Sequence, residues 1–392
     1  MKPVLRHIDD LISARARAID VSGIRRVFEL GARLPDPINL SIGQPDFAVA
    51  AEIKNAAIAA ILGDHNGYTL TQGSGELREA ISRHLAGDVG WEVPASDLDL
   101  LVTSGTSGAL LLAFMALMDP GDEAIVSDPY FVVYPALGPL TGGSIVLCDT
   151  YPDFRLTAER VEPLITDRTK ILLLNSPSNP SGVVLRSDEL ADLVDLCDRR
   201  GVLMIADEIY DEFTYDDARE GGRCPSPARL TGNMLLVRGF GKTYGCTGWR
   251  MGYAAGPKAL IDQMAKLQQY TFVCAPSMAQ AGVVAAFDVN MSGQVRSYQR
   301  KRDMVETMLG SITEVVHPGG AFYAFVRAVP PHATATELVE RAIQRNVLVI
   351  PGSVFSRRDT HFRLSYATGD ETLKHGLEIL ADLMTVPDRS SR

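Results

Sequence analysis

From residue 51 onward, apolar residues recur in two alternating patterns. Ala51 to Leu62 and Gly75 to Leu85 have helical spacing. Leu98 to Thr103 is a short apolar run ending in small residues, and a helix-like run follows from Ser107 to Met118. Glu123 to Ser127 repeats the strand pattern, as do Ile171 to Asn175, Val202 to Asp207 and Met234 to Val237. Between two of these, Ser187 to Arg200 is an amphipathic helix with Leu190, Leu193, Val194 and Cys197 on one face. Apolar strands separated by helices predict an α/β fold with a mostly parallel sheet covered on both faces. Functional groups in such sheets gather at strand C-termini. Thr103 to Ser107, Asp128, Asn175, Asp207 and Gly239 to Lys242 all fall there.

The pattern changes near residue 290. Arg296 to Leu309 reads as a long charged helix and Thr372 to Met384 as a closing one. Phe322 to Val326, Val347 to Ile350 and Phe362 to Ser365 read as short strands. The expected division is a large domain over 46–290 and a smaller α+β domain over 291–392, which residues 1–45 join.

Composition narrows the function classes. The 392 residues are 46% hydrophobic and 22% charged, enough for a sizeable core without metals or disulfides. A net charge of −10 argues against a nucleic-acid partner, which selects clustered Lys and Arg. The five cysteines, Cys148, Cys197, Cys224, Cys246 and Cys274, show no C-x-x-C spacing, so neither a disulfide framework nor a zinc site is expected. Reduced thiols and an N-terminus without an apolar core predict a cytoplasmic protein. The longest apolar run, Ala109 to Met118, is too short to span a bilayer.

Gly239-Phe240-Gly241-Lys242-Thr243 invites a phosphate-loop reading. That motif needs a glycine at position 236, which is Leu inside an apolar strand. What remains is a strand-end lysine flanked by glycines, which alone could be a solvated loop residue. The stretch Asn175 to Gly182 alone could be a turn, Asp207 a helix cap and Arg363 half of a surface pair. Their joint occurrence in this order carries more weight than any one of them.

Together these segments resemble the class I aminotransferases of fold type I, a pyridoxal-phosphate family. The resemblance runs from about Ile38 to Thr368. It rests on NxPxNPxG at Asn175 to Gly182, DExY at Asp207 to Tyr210, and Lys242 to Arg250 ending in GWR. Ser41 to Phe47, Gly67-Tyr68, Pro129 to Tyr134 and His317 to Tyr323 are similar to its aspartate-aminotransferase-like branch. The resemblance implies pyridoxal 5'-phosphate held by Lys242 as a Schiff base, with the freed amine acting as proton shuttle. It implies Asp207 at the ring nitrogen, with Tyr210 and Asn179 at the phenolic oxygen. Gly105, Thr106 and Ser107 at a helix start, with Arg250, would hold the phosphate. Phe131 is the implied stacking ring, with Tyr130 as the alternative. Arg363 would clamp the substrate α-carboxylate, helped by Asn179 and the amide of Gly43. Tyr68 would reach the phosphate of a partner chain, which implies a homodimer with composite sites. Asn179–Pro180 is expected to be cis.

Two departures stand out. Relatives often carry serines where this chain has Gly239 and Gly241, and a larger polar residue where it has Gly108. The implied reaction is amino transfer between an L-amino acid, aspartate or glutamate as a first guess, and a 2-oxo acid. The alternative on the same scaffold is elimination, as in a C–S lyase. A cofactor-binding regulator would need a DNA-binding domain ahead of Gly43, where only about forty residues stand.

Overall fold

A computed structural model describes residues 7–20, 23, 27, 31 and 34–385. Strand β1 is Ile38–Asn39. One sheet contains β2 (Leu98–Ser104), β3 (Glu123–Asp128), β4 (Ser144–Asp149), β5 (Thr169–Asn175), β6 (Leu203–Asp207), β7 (Met234–Gly239) and β8 (Met251–Pro257). Their order is β2-β8-β7-β6-β5-β3-β4. The strands from β7 to β4 pair in parallel, and β8 runs antiparallel to both β7 and β2. All but β8 therefore end on the same edge.

Side chains alternate along a strand, so each strand feeds two cores. Leu172 and Leu174 enter one, Ile171 and Leu173 the other. Helices Gly75–Asp88 and Ser187–Arg200 cover the first face through Leu77, Ile81, Leu190 and Leu193. Helices Gly105–Leu117 and Lys258–Gln269 cover the second through Leu110, Phe114, Ile261 and Met264.

Beyond helix Ser292–Leu309, strands β9 (Tyr323–Arg327), β10 (Val347–Leu348), β11 (Ile350–Pro351) and β12 (His361–Ser365) appear, with helices Ala335–Gln344 and Asp370–Thr385. β11, β12 and β9 form an antiparallel sheet. β1 pairs in parallel with β10. Leu40 shares a core with Phe322, Tyr323, Leu364 and Leu377, and Tyr210 and Phe213 enter that core from the segment after β6. Asp46 ties the chain between these parts. It accepts hydrogen bonds from the Tyr298 hydroxyl at 2.7 Å and the Lys301 ammonium at 3.0 Å.

Strands β4 and β8 were not expected from the sequence. β4 lies at the sheet edge with a single fully buried residue, so its apolar pattern is weak. β8 reads Met-Gly-Tyr-Ala-Ala-Gly-Pro, and glycine, alanine and proline are poor strand formers.

Candidate active site

The parallel edge brings the chemistry together. Asn175 ends β5 and stands in register with Asp207, which ends β6. β7 ends at Gly239, and the single turn Phe240–Thr243 then lifts Lys242 over the strand ends. Above them lies a cavity of about 340 Å³. Every site residue proposed from the sequence lines it except Tyr68.

Charge in the cavity is unbalanced. Lys242, Arg250 and Arg363 face a single carboxylate, Asp207. Neither arginine pairs with an acidic side chain among the described residues. Withdrawal from water, then Arg363 and Arg250, push the Lys242 ammonium down to about 8 against the pull of Asp207. Its amine donates to the Gly43 carbonyl. Burial pushes the Asp207 carboxyl up to about 6, opposed by a hydrogen bond from Tyr134, the Ile209 amide and the Lys242 charge. The Tyr134 hydroxyl donates to Asp207 Oδ2 at 2.8 Å.

One end of the cavity is built for an anion. Helix Gly105–Leu117 starts there, and no side chain caps its first turn, so the amides near Thr106 and Ser107 stay available. The helix starts two residues earlier than its sequence pattern suggests, which puts both residues in that first turn. Arg250 lies against Gly105. A Cβ on Gly105 would sit 2.7 Å from Arg250 Nη2, and its φ of +68° is a glycine conformation. Gly239 is explained the same way. A Cβ there would meet Ile209 Cδ1 at 2.8 Å and Thr106 Cγ2 at 3.1 Å, so a serine has no room unless these side chains shift.

The opposite end holds Arg363, buried between the rings of Tyr323 and Phe355, each 4.6 Å from the guanidinium carbon. Arg363 donates to Asn179 Oδ1 at 3.1 Å and to the Ser41 carbonyl at 2.8 Å, while its Nε has no partner. Asn179 is placed by its amide, which donates to Asn175 Oδ1 at 2.8 Å, and Asn175 donates in turn to the Asp207 carbonyl at 2.8 Å. Asn179–Pro180 is cis.

Phe131 lines the cavity and Tyr130 does not. Tyr68 is 88% exposed and does not line this cavity. Sequence reasoning gave no role to Tyr134, Asn175 or Tyr323, although all three stand within segments it singled out. Tyr323 is wholly buried, with its hydroxyl 3.1 Å from that of Tyr210. The signal was there in the Tyr-rich segments, but which tyrosine faces the cavity depends on packing.

Residues 35–380 match the family model described as "Aminotransferase class I and II". YugH of Bacillus subtilis, provisionally named an aminotransferase, is 38% identical over 93% of this chain and 96% of its own. The aspartate aminotransferase of Rhizobium meliloti is 36% identical over 93% and 95%. The solved aspartate aminotransferase of Thermotoga maritima superposes with a TM-score of 0.90 at 31% identity, covering 96% of this chain and all of that one. With this match running through both the sheet and the strand-end site, the chain belongs to the class I and II aminotransferases and is an aminotransferase.

Proposed function

We propose that the chain moves an amino group between an L-amino acid and a 2-oxo acid in ping-pong fashion, with pyridoxal 5'-phosphate as cofactor. The observation that carries this reading is the three-cation, one-carboxylate cavity in a protein of net charge −10. Such a cavity suits a ligand pair bearing a phosphate, a carboxylate and one cationic ring nitrogen. The residues present fit that cofactor. The uncapped helix start and Arg250 suit the phosphate, Asp207 suits a protonated ring nitrogen, and the face of Phe131 suits a flat ring. When bound, the cofactor supplies an electron sink.

The protein's own groups do the rest. Lys242, at about 8, is partly neutral near neutral pH, so its amine can hold the cofactor and exchange a proton at the substrate α-carbon. Asp207 keeps the ring nitrogen protonated. Tyr210 and Asn179 orient the phenolic oxygen. Arg363, its guanidinium held flat between two rings, receives the α-carboxylate together with Asn179 and the Gly43 amide. Aspartate as donor is supported by relatives named aspartate aminotransferases, whose names do not favour elimination, and glutamate enters this reading only as its dicarboxylate homologue.

The same reading makes the active unit a cytoplasmic homodimer with Tyr68 serving the partner's phosphate site. Leu62, Leu70 and Tyr270 are exposed near Tyr68 in sequence or through Gln268, which donates to the Thr71 carbonyl at 2.7 Å. All five cysteines are free thiols. The reading also divides the chain near residue 290, with residues 1–45 joining the smaller part. The pairing of β1 with β10 supports that division.

The test is spectroscopic. The loaded protein should absorb in the visible and lose that band on addition of a donor amino acid, then recover it with a 2-oxo acid. Lys242→Ala should lose at least roughly 10²–10⁴-fold in turnover. Near-wild-type turnover in that variant would remove Lys242 from the chemistry.

A further inference from the structure

Tyr323 lines the cavity beside both Arg363 and Tyr210. Its ring packs on the Arg363 guanidinium at 4.6 Å. Its hydroxyl lies 3.1 Å from the Tyr210 hydroxyl. A Cβ on Gly43 would sit 3.0 Å from the same hydroxyl, so the loop carrying Gly43 closes tightly over it. Tyr323 opens strand β9, the partner of β12, where Ser365 is its register mate, and it is fully buried. Its position is therefore fixed by the sheet and not by a loop.

We infer that Tyr323 is a positioning residue that couples the carboxylate seat at Arg363 to the cofactor-facing hydroxyl of Tyr210, an inference that rests on the proposed role of Tyr210. The argument follows from donor counting. A phenol has one hydrogen to donate and lone pairs to accept. If Tyr210 donates to the phenolic oxygen of the cofactor, its own oxygen is left to accept, and Tyr323 is the donor within reach. A hydroxyl that accepts a hydrogen bond becomes a stronger donor. Tyr323 thus strengthens the bond that Tyr210 makes and helps hold the phenolic oxygen in its ionised form. Its ring meanwhile packs against the Arg363 guanidinium, which Phe355 also contacts. One sheet-anchored side chain therefore sets both the seat of Arg363 and the donor to Tyr210.

The two roles separate by substitution. Tyr323→Phe keeps the ring and removes the hydroxyl, whereas Tyr323→Leu removes both. The readouts are the pH midpoint of the visible absorbance of the loaded protein and the dissociation constant of propionate, used as a bare carboxylate. Tyr323→Phe should raise the midpoint by about 0.3–0.7 unit, the part of one neutral hydrogen bond that is transmitted. It should change propionate binding by less than about twofold. Tyr323→Leu should raise the midpoint similarly and weaken propionate by roughly five- to thirtyfold, as expected for a desolvated cation–π contact. Tyr210→Phe is the reference and should shift the midpoint further than either. If Tyr210→Phe shifts the midpoint and Tyr323→Phe does not, the coupling is wrong while the role of Tyr210 stands. If neither shifts it, the role of Tyr210 falls first. Should Tyr323→Leu fail to fold, the Tyr323→Phe midpoint and propionate constant still decide the matter. A midpoint unmoved, or propionate weakened as much by Phe as by loss of the ring would be, overturns the inference.

Discussion

Replacing Tyr134 by Phe isolates one hydrogen bond at the base of the site. The hydroxyl donates to Asp207 Oδ2 at 2.8 Å, and both residues are buried. Phe fills the same space minus one oxygen, so packing is conserved. A hydrogen bond to a charged group is worth about 1.5–3 kcal/mol, and 1.36 kcal/mol is one pKa unit, so the carboxyl should rise by about one to two units. From about 6 in the free protein, the Asp207 midpoint should therefore move to roughly 7–8. Since the folded value already lies above the ordinary 3.8, Asp207 contributes fully to folding of the cofactor-free protein below about pH 4. That contribution is lost as pH rises through about 6. Cofactor binding needs the ionised form, so it gains where folding loses.

The assay is cofactor titration of the free protein from pH 5 to pH 9 by fluorescence quenching or absorbance, for wild type and Tyr134→Phe. Effects of other groups cancel in the ratio of the two constants. At pH 9 both carboxyls are ionised and the ratio should approach one. At pH 7 the variant should bind about two- to tenfold more weakly, and at pH 5 about ten- to a hundredfold, by the ionised fractions that follow from those midpoints. A ratio constant across the range would refute the reasoning, because it would mean Tyr134 does not act through the charge of Asp207.

Three further outcomes follow from the geometry. Arg363→Lys should raise the donor KM at least tenfold with cofactor content unchanged, since an ammonium gives neither the two parallel bonds nor the stack between Tyr323 and Phe355; loss of cofactor with unchanged KM would place Arg363 elsewhere. Gly105→Ala should weaken binding of inorganic phosphate to the free protein and lower its melting temperature, because the methyl meets Arg250 and the left-handed backbone costs about 1–2 kcal/mol; equal phosphate affinity would separate Arg250 from the phosphate. Tyr68→Phe should loosen cofactor by roughly ten- to a hundredfold, and mixing it with Lys242→Ala subunits should restore activity in hybrids with one intact site. A mixture without recovered activity, or a fully active monomer, speaks against the shared site.

Much of this protein is written in its local pattern. Short continuous apolar runs ending in small or polar residues point to β2, β3, β5, β6 and β7, because a strand buried on both faces has no polar alternation. With strands and helices alternating, the shared edge collects Asn175, Asp207 and Lys242, so the grouping of these candidate residues around one cavity was legible before any coordinates. Strand β8 was not, since its Gly-Ala sequence has no pattern of its own and is held by hydrogen bonds from β2 and β7 on either side. The tuning of the site was equally hidden. Tyr134 reaches Asp207 across 73 positions and Arg363 reaches Asn179 across 184. Periodicity assigns a side chain to a face of its own element but cannot say which distant residue that face meets. The choice of Phe131 over Tyr130, the seat of Arg250 against Gly105, and the contact of Tyr323 with both Tyr210 and Arg363 depend on how the elements pack, and only the tertiary structure decided them.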